Sequence, residues 1–220
     1  MTKEFVKRSK FRSMASWIIH ASNHGIDMRK FHSDKLEDNQ RLEESGLPVW
    51  NKFKVPYREF HKNNPQLMEF FSKYEQFLIR AIPNTSELNR FSNLGVSDFK
   101  ECLDFLRKGV NPKHADSYSV LMTEWEPTEY GGIIISRPNS RIIEISKELD
   151  ELEHGQVTPV TGYSNGLGMK YTTEDTELRQ LMWNSLKYVK GLEGYFEFVI
   201  TEKDRSIKFI DYKTSRGYLE

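Results

Sequence analysis

The most constraining stretch of this chain is a pair of alternating apolar runs near its end, Tyr195 to Ile200 and Ile207 to Tyr212, separated by the polar turn Glu202-Lys203-Asp204-Arg205. Strand side chains alternate between faces, so Glu197, flanked by Phe196 and Phe198, occupies a face of its own, and Asp211 is the single acid of the second run. Paired antiparallel, the two carboxylates converge on one hard cation, with Lys213 and Arg216 just beyond. Carboxylates on Mg²⁺ beside basic groups suit a nucleoside triphosphate. The same residues also describe a hairpin with two solvated acids on its outer face.

Composition bounds the alternatives. In 220 residues, 32 basic side chains balance 32 acidic ones, which removes the charge excess of a duplex-binding protein. A local basic patch, Lys3 to Arg12, leaves nucleic acid open as a partner through an N-terminal helix, although a solvated helix start also explains it. The 14 Phe, 10 Tyr and 4 Trp supply a folded core despite a charged fraction of 29%. The four tryptophans, Trp17, Trp50, Trp125 and Trp183, read as core residues. The single cysteine, Cys102, has apolar neighbours at helical spacing and reads as a buried hydrophobe in a reducing compartment. Trp17-Ile18-Ile19 is too short for a leader and no apolar run reaches membrane length, so a cytoplasmic protein without a membrane partner is expected.

The pattern alternates between helix and strand periods. Helices are expected over 11–24, Leu36 to Ser45 (closed by Gly46), from Pro65, Ser97 to Leu106 with a serine N-cap, and Thr173 to Tyr188. Strands are expected at Leu47 to Val55, Gln76 to Ile82, Tyr118 to Trp125, Gly132 to Ser136 and Arg141 to Ile145, the third and fourth joined by a turn containing Pro and Gly. Asn84 to Gly95 reads as loop, and Asn165-Gly166 as a hairpin turn or a mobile loop. The fold class is α+β. Lys108 to Asp116 is the nearest thing to a linker.

Several segments then fall in a familiar order. LMTEWEPTEYGGIIISRPN, RIIEIS and HGQVTP succeed one another as a strand, a turn, a Gly-started strand closing in Ser-Arg-Pro, a strand with a central glutamate, and a Gly-x-Val-Thr-Pro segment. Upstream lie GLPVWNKFKV, FLIRAIP and RFSNLGVSDFKECLDFL. The succession resembles the nucleotide-binding domain of the phosphoenolpyruvate synthase and pyruvate, phosphate dikinase family, an ATP-grasp fold, from about Lys35 to Arg216. The resemblance implies two subdomains with mainly antiparallel sheets around a cleft: an N-terminal helical extension (1–34), one subdomain at 35–110 and another at 111–220.

The resemblance also implies roles. Arg80 would contact ATP phosphates; an arginine inside an apolar strand needs an anion, or a salt bridge to a neighbouring acid. Arg137 matches an arginine position of the family, and Glu144 would face the nucleotide or its metal; with Arg80 these form the expected catalytic set. Glu124 and Glu126 lie where such folds meet adenine and ribose. Lys35 is the expected phosphate lysine, with Lys10 as the alternative, and Glu197 and Asp211 would bind Mg²⁺. The sequence departs from the family in Ile-Arg-Ala-Ile, which lacks two hydroxyls, and in Tyr195-Phe196-Glu197, which lacks one acid. Lys213 stands where other ATP-grasp proteins often carry asparagine. No counterpart of the phosphohistidine domain or the pyruvate-binding barrel is present in these residues.

The expected function is therefore an ATP-binding, Mg²⁺-dependent phosphotransferase or ligase acting on an unknown small-molecule or macromolecular substrate. A non-catalytic binding module of the same fold is the alternative. His20 and His24 have metal-pair spacing but no third ligand follows. His154 is a loop histidine, and no nucleophile elbow emerges.

Overall fold

The computed structural model describes residues 35–60, 64–85, 87–147, 149, 152, 156–165 and 168–214, and the side chains of those from 40 to 213. The segments holding Lys3 to Arg12, His20, His24, His154 and Arg216 lie outside the described residues. In order, the elements begin α1 (Lys35–Glu44), β1 (Lys52–Pro56), α2 (Tyr57–Phe60), α3 (Pro65–Lys73), β2 (Phe77–Pro83), β3 (Phe91–Val96), α4 (Phe99–Gly109) and a 3₁₀ turn (Pro112–Ser117). They continue with β4 (Tyr118–Glu124), β5 (Thr128–Arg137), β6 (Ser140–Ser146), β7 (Val160–Ser164), β8 (Met169–Tyr171), α5 (Thr176–Tyr188), β9 (Gly194–Thr201) and β10 (Ile207–Thr214). The α+β class is as expected, with every strand pairing antiparallel.

The chain forms two compact units: an inserted unit, Trp50–Pro127, and a flanking unit made of the residues through Val49 and those from Thr128 on. The segment Lys108 to Asp116, read as a linker, lies inside the inserted unit, where it forms the end of α4 and the 3₁₀ turn.

The inserted unit is a four-stranded sheet in the order β1-β4-β2-β3. Alternation puts Val55, Phe77, Ile79, Ala81, Val120 and Met122 on one face, packed with Phe60, Leu67, Cys102 and Leu106 from the helices. Cys102 is fully buried, and burial, then Glu101 and Asp98, pushes its thiol up to about 12. It is the inert core cysteine expected. Helix α4 is capped one residue later than expected: Asp98 accepts the Glu101 N–H at 2.8 Å, while Ser97 donates its N–H to the Glu101 carboxylate at 3.1 Å.

The flanking unit is a six-stranded sheet in the order β10-β9-β5-β6-β7-β8. One face carries Ile134, Ile143, Phe196, Phe198, Ile200, Phe209 and Tyr212, closed by Leu181, Met182 and Leu186 of α5 and Leu42 of α1. Gly46, with φ 71°, ends α1 as a left-handed stop. Gly132 is required by close approach: a Cβ there would meet the Phe198 ring at 2.3 Å and the Glu144 carbonyl oxygen at 2.7 Å. On the opposite face Ile133 packs with Leu149, Leu152, Val157 and Tyr195.

Several expectations are corrected. Tyr118 to Trp125 and Gly132 to Ser136 do not make a hairpin; β4 and β5 belong to different sheets, the chain leaving one unit at Pro127. Only Lys52 onward in Leu47 to Val55 is strand. Leu47 is buried in the flanking core, and the Pro48 carbonyl accepts the Phe209 N–H at 2.8 Å. Asn84 to Gly95 contains most of an edge strand, β3, and Val160–Ser164 and Met169–Tyr171 pair as two short strands, β7 and β8, that apolar patterning does not announce. Trp50 is buried as expected, but Trp183 is 46% exposed on α5. No helix among the described residues is long and apolar enough to cross a membrane.

The β9–β10 turn sets an acid limit. Asp204 accepts from Thr201 Oγ1 at 2.6 Å and from the Ser206 N–H at 2.9 Å, and these bonds, Thr201 first, lower its carboxyl from an ordinary 3.8 to about 2. A carboxylate depressed in the fold stabilises it above the unfolded value and loses that contribution as pH falls through the folded one. Acid unfolding between pH 4 and 2 is thus expected to be less steep in Asp204→Ala than in the parent, as monitored by circular dichroism. Equal slopes would show the turn to be irrelevant.

Candidate functional site

The flanking sheet presents a row of acids on the face opposite its main core. Register aligns Thr161 of β7, Glu144 of β6, Ile133 of β5, Glu197 of β9 and Asp211 of β10 as successive cross-strand partners. Residues directly opposed across strands share a face, so Glu197 and Asp211 lie on one side as neighbours. Glu144 is on the same side, two strand spacings from Glu197, about 10 Å of backbone.

A bulge makes this alignment. From Ile207 to Phe209 β10 pairs with Ile200 to Phe198, and the register then shifts between Phe209 and Asp211. Carried on without Ile210 as the extra residue, Asp211 would stand opposite Phe196 and point into the core. At this bulge the Phe209 N–H reaches the Pro48 carbonyl.

Both oxygens of Asp211 have a partner. Its Oδ1 accepts the Tyr212 N–H at 2.9 Å, and its Oδ2 lies 3.1 Å from Lys213 Nζ. That ammonium also sits 5.3 Å from the centre of the Tyr195 ring, directly across the strands from Lys213. Glu144 is buried, at 5% exposure.

The inserted sheet presents a different chemistry on the face away from its core. Lys54 of β1, Leu121 of β4, Arg80 of β2 and Ser92 of β3 form one cross-strand row. Arg80 is half-buried, and burial first, then the neighbouring Arg90, lowers its pKa. Among the described residues no carboxylate pairs with it. An arginine keeps its proton in a protein, so this is a partly desolvated cation beside another cation, Arg90.

Other expected residues are placed less simply. Glu124 ends β4 on the core-facing side, where its Oε2 accepts from Asn51 Nδ2 at 2.8 Å and from the Asn51 N–H at 3.2 Å. Glu126 lies in the connection after β4, half-buried. Arg137 is exposed at the end of β5, four residues beyond Ile133 and about 13 Å along the strand from the acid row. It shares the face of Glu144 without joining the row. Lys35 opens α1, and its side chain lies outside the described ones. Lys54 is the residue sequence reasoning overlooks, although its signal is legible: Lys52 and Lys54 alternate with Phe53 and Val55.

Among the described residues, no group of three or more His, Cys, Asp or Glu is placed to hold a metal ion. Two facing carboxylates are nonetheless what Mg²⁺ uses when substrate phosphates and water complete its shell. Glu197 and Asp211 fit a divalent ion in that restricted sense.

No protein-family model and no curated protein matches the chain. Solved structures give remote likenesses. A D-alanine–D-alanine ligase from Bacillus anthracis complexed with ATP has 14% identity and a TM-score of 0.45 over 94% of this chain and 65% of that one. An ADP complex of N5-carboxyaminoimidazole ribonucleotide synthetase has 15% identity and a TM-score of 0.42 over 84% and 45%. The D-alanine–D-alanine ligase from Coxiella burnetii has 12% and 0.43 over 82% and 47%. No family is assigned on these values. The chain spans roughly half of two of these proteins and 65% of the third.

Proposed function

We propose that this chain is an ATP-grasp-type domain that binds ATP with Mg²⁺ and serves an ATP-dependent ligase or phosphotransferase with a substrate still to be identified. The observation that carries the reading is Arg80: a half-buried guanidinium beside Arg90, with no carboxylate partner among the described residues, on the face of an antiparallel sheet away from its core. Such a cation is costly unless an anion completes it, and a triphosphate supplies that anion. Lys54 on the same row provides a second positive group. The ordered sequence segments that resemble the phosphoenolpyruvate synthase and dikinase family support the finer placement.

In this reading Arg80 and Lys54, within the inserted unit, would bind phosphate oxygens, and Glu197 and Asp211, within the flanking unit, would hold a divalent ion. That ion would neutralise charge developing on the transferred phosphoryl group. Glu144 and Arg137 are proposed on the substrate side of the row, and Glu124 and Glu126 near the base and ribose. Glu124 can contribute there only through what its bond to Asn51 leaves open. No side chain of the described sites stands out as a nucleophile, so the attacking group belongs to the substrate.

Calorimetric titration tests the reading. The chain should bind ATP in the presence of Mg²⁺ and more weakly in EDTA, with the Mg²⁺-dependent part lost in Glu197→Ala and in Asp211→Ala. Absence of binding at millimolar nucleotide would favour the non-catalytic interaction module instead.

A further inference from the structure

We propose that the Lys213 ammonium is a tethered counter-ion that occupies the cation position of Asp211 and keeps a bare divalent ion out. The inference rests on assigning Glu197 and Asp211 to Mg²⁺, and adds how loading of that site is controlled.

Three observations carry it. First, neither oxygen of Asp211 is idle: Oδ1 holds the Tyr212 N–H and Oδ2 holds Lys213 Nζ. A hard cation reaching Oδ2 of this carboxylate competes with the lysine ammonium for it. Second, the pair is largely out of water, with side-chain exposures of 22% for Lys213 and 15% for Asp211. Salt and solvent therefore screen it poorly, and separating it leaves two incompletely compensated charges. Third, the ammonium has a second anchor in the face of Tyr195, its register partner, which keeps it near the carboxylate when the bond to Oδ2 breaks.

A bare divalent ion entering here meets a positive group at the oxygen it needs, and adds its own charge to a partly desolvated corner. The same ion arriving with a polyphosphate brings an excess of negative charge. Phosphate oxygens then offer Lys213 a new partner as Asp211 turns to the metal. Metal and nucleotide are thereby coupled: each lowers the cost of the other's entry. A neutral side chain at 213 would uncouple them.

The readout is metal binding without nucleotide. Mn²⁺ titrations followed by electron paramagnetic resonance should show weak binding to the parent chain and to Lys213→Arg, which retains the ion pair. Lys213→Met should bind Mn²⁺ at least about tenfold more tightly, equivalent to ~1.4 kcal/mol. Lys213→Gln serves as a second neutral variant, and circular dichroism confirms folding of each. An unchanged or weaker Mn²⁺ affinity in the folded neutral variants overturns the counter-ion role, whatever ATP does. If those variants gain Mn²⁺ affinity but the parent chain fails to bind ATP with Mg²⁺, the nucleotide reading falls and the counter-ion role stands.

Discussion

Arg80→Met should melt at a higher temperature than the parent chain while binding Mg²⁺–ATP roughly 10- to 150-fold more weakly. The two effects have one cause. In the free protein the guanidinium is partly desolvated, repelled by Arg90 and without a carboxylate partner among the described residues. Replacing it with an apolar side chain of similar length removes that cost and keeps the aliphatic packing of its stem. Bound phosphate would turn the same group into a donor of charge-assisted hydrogen bonds, each worth about 1.5–3 kcal/mol, hence the expected loss of affinity. A merely structural arginine predicts the reverse pairing, lower melting temperature with binding unchanged. Differential scanning calorimetry and nucleotide titration on one preparation decide between them. Arg80→Lys should fall between, because a lysine keeps the charge but loses the fork that grips two oxygens.

Arg80 also shows what the amino-acid sequence makes legible. A single cation in FLIRAIP is visible without coordinates, and so is its dilemma between phosphate and a neighbouring acid. The structure narrows that dilemma by putting Arg90, and no carboxylate among the described residues, beside it. Lys54 was equally readable from its alternation with Phe53 and Val55, but its relation to Arg80 was not. They meet on one row only because β4 inserts between β1 and β2, and that order is a matter of topology.

The acid row teaches a subtler lesson. Alternation alone puts Glu197 and Asp211 each on a face, yet pairing them across a regular hairpin from Ile207 would leave Asp211 opposite Phe196. The extra residue at Ile210 corrects this, and no local pattern in IKFIDYK signals a bulge. Two short strands are hidden for related reasons. FSNLGV and VTGYS are short and interrupted by glycine, so their strand character comes from neighbours rather than propensity. The split between β4 and β5 was hidden because successive strands usually pair, and only the break at Pro127 sends them to different sheets.

The other large effect lies on the buried side of the same strand. Phe196→Ala should reduce unfolding free energy by about 3–5 kcal/mol, a large part of the 5–15 kcal/mol typical of a folded domain. Phe196 is fully buried, stacked on Tyr212 with ring centres 4.4 Å apart at 12°, and set edge-on to Phe209 at 6.2 Å. These contacts straddle the bulge: Phe209 precedes it, Tyr212 follows it, and Phe196 lies across from Tyr212 on β9. Deleting the ring therefore opens a cavity and also loosens the packing that holds β10 in its shifted register. Urea unfolding should show a lower midpoint at similar slope, and Mg²⁺-dependent binding should weaken in conditions where the variant is still folded. Leu186→Ala, on α5 in the same core, should cost about 2–5 kcal/mol but spare that binding. If both substitutions affect binding equally, the register of β10 is not what places Asp211 beside Glu197.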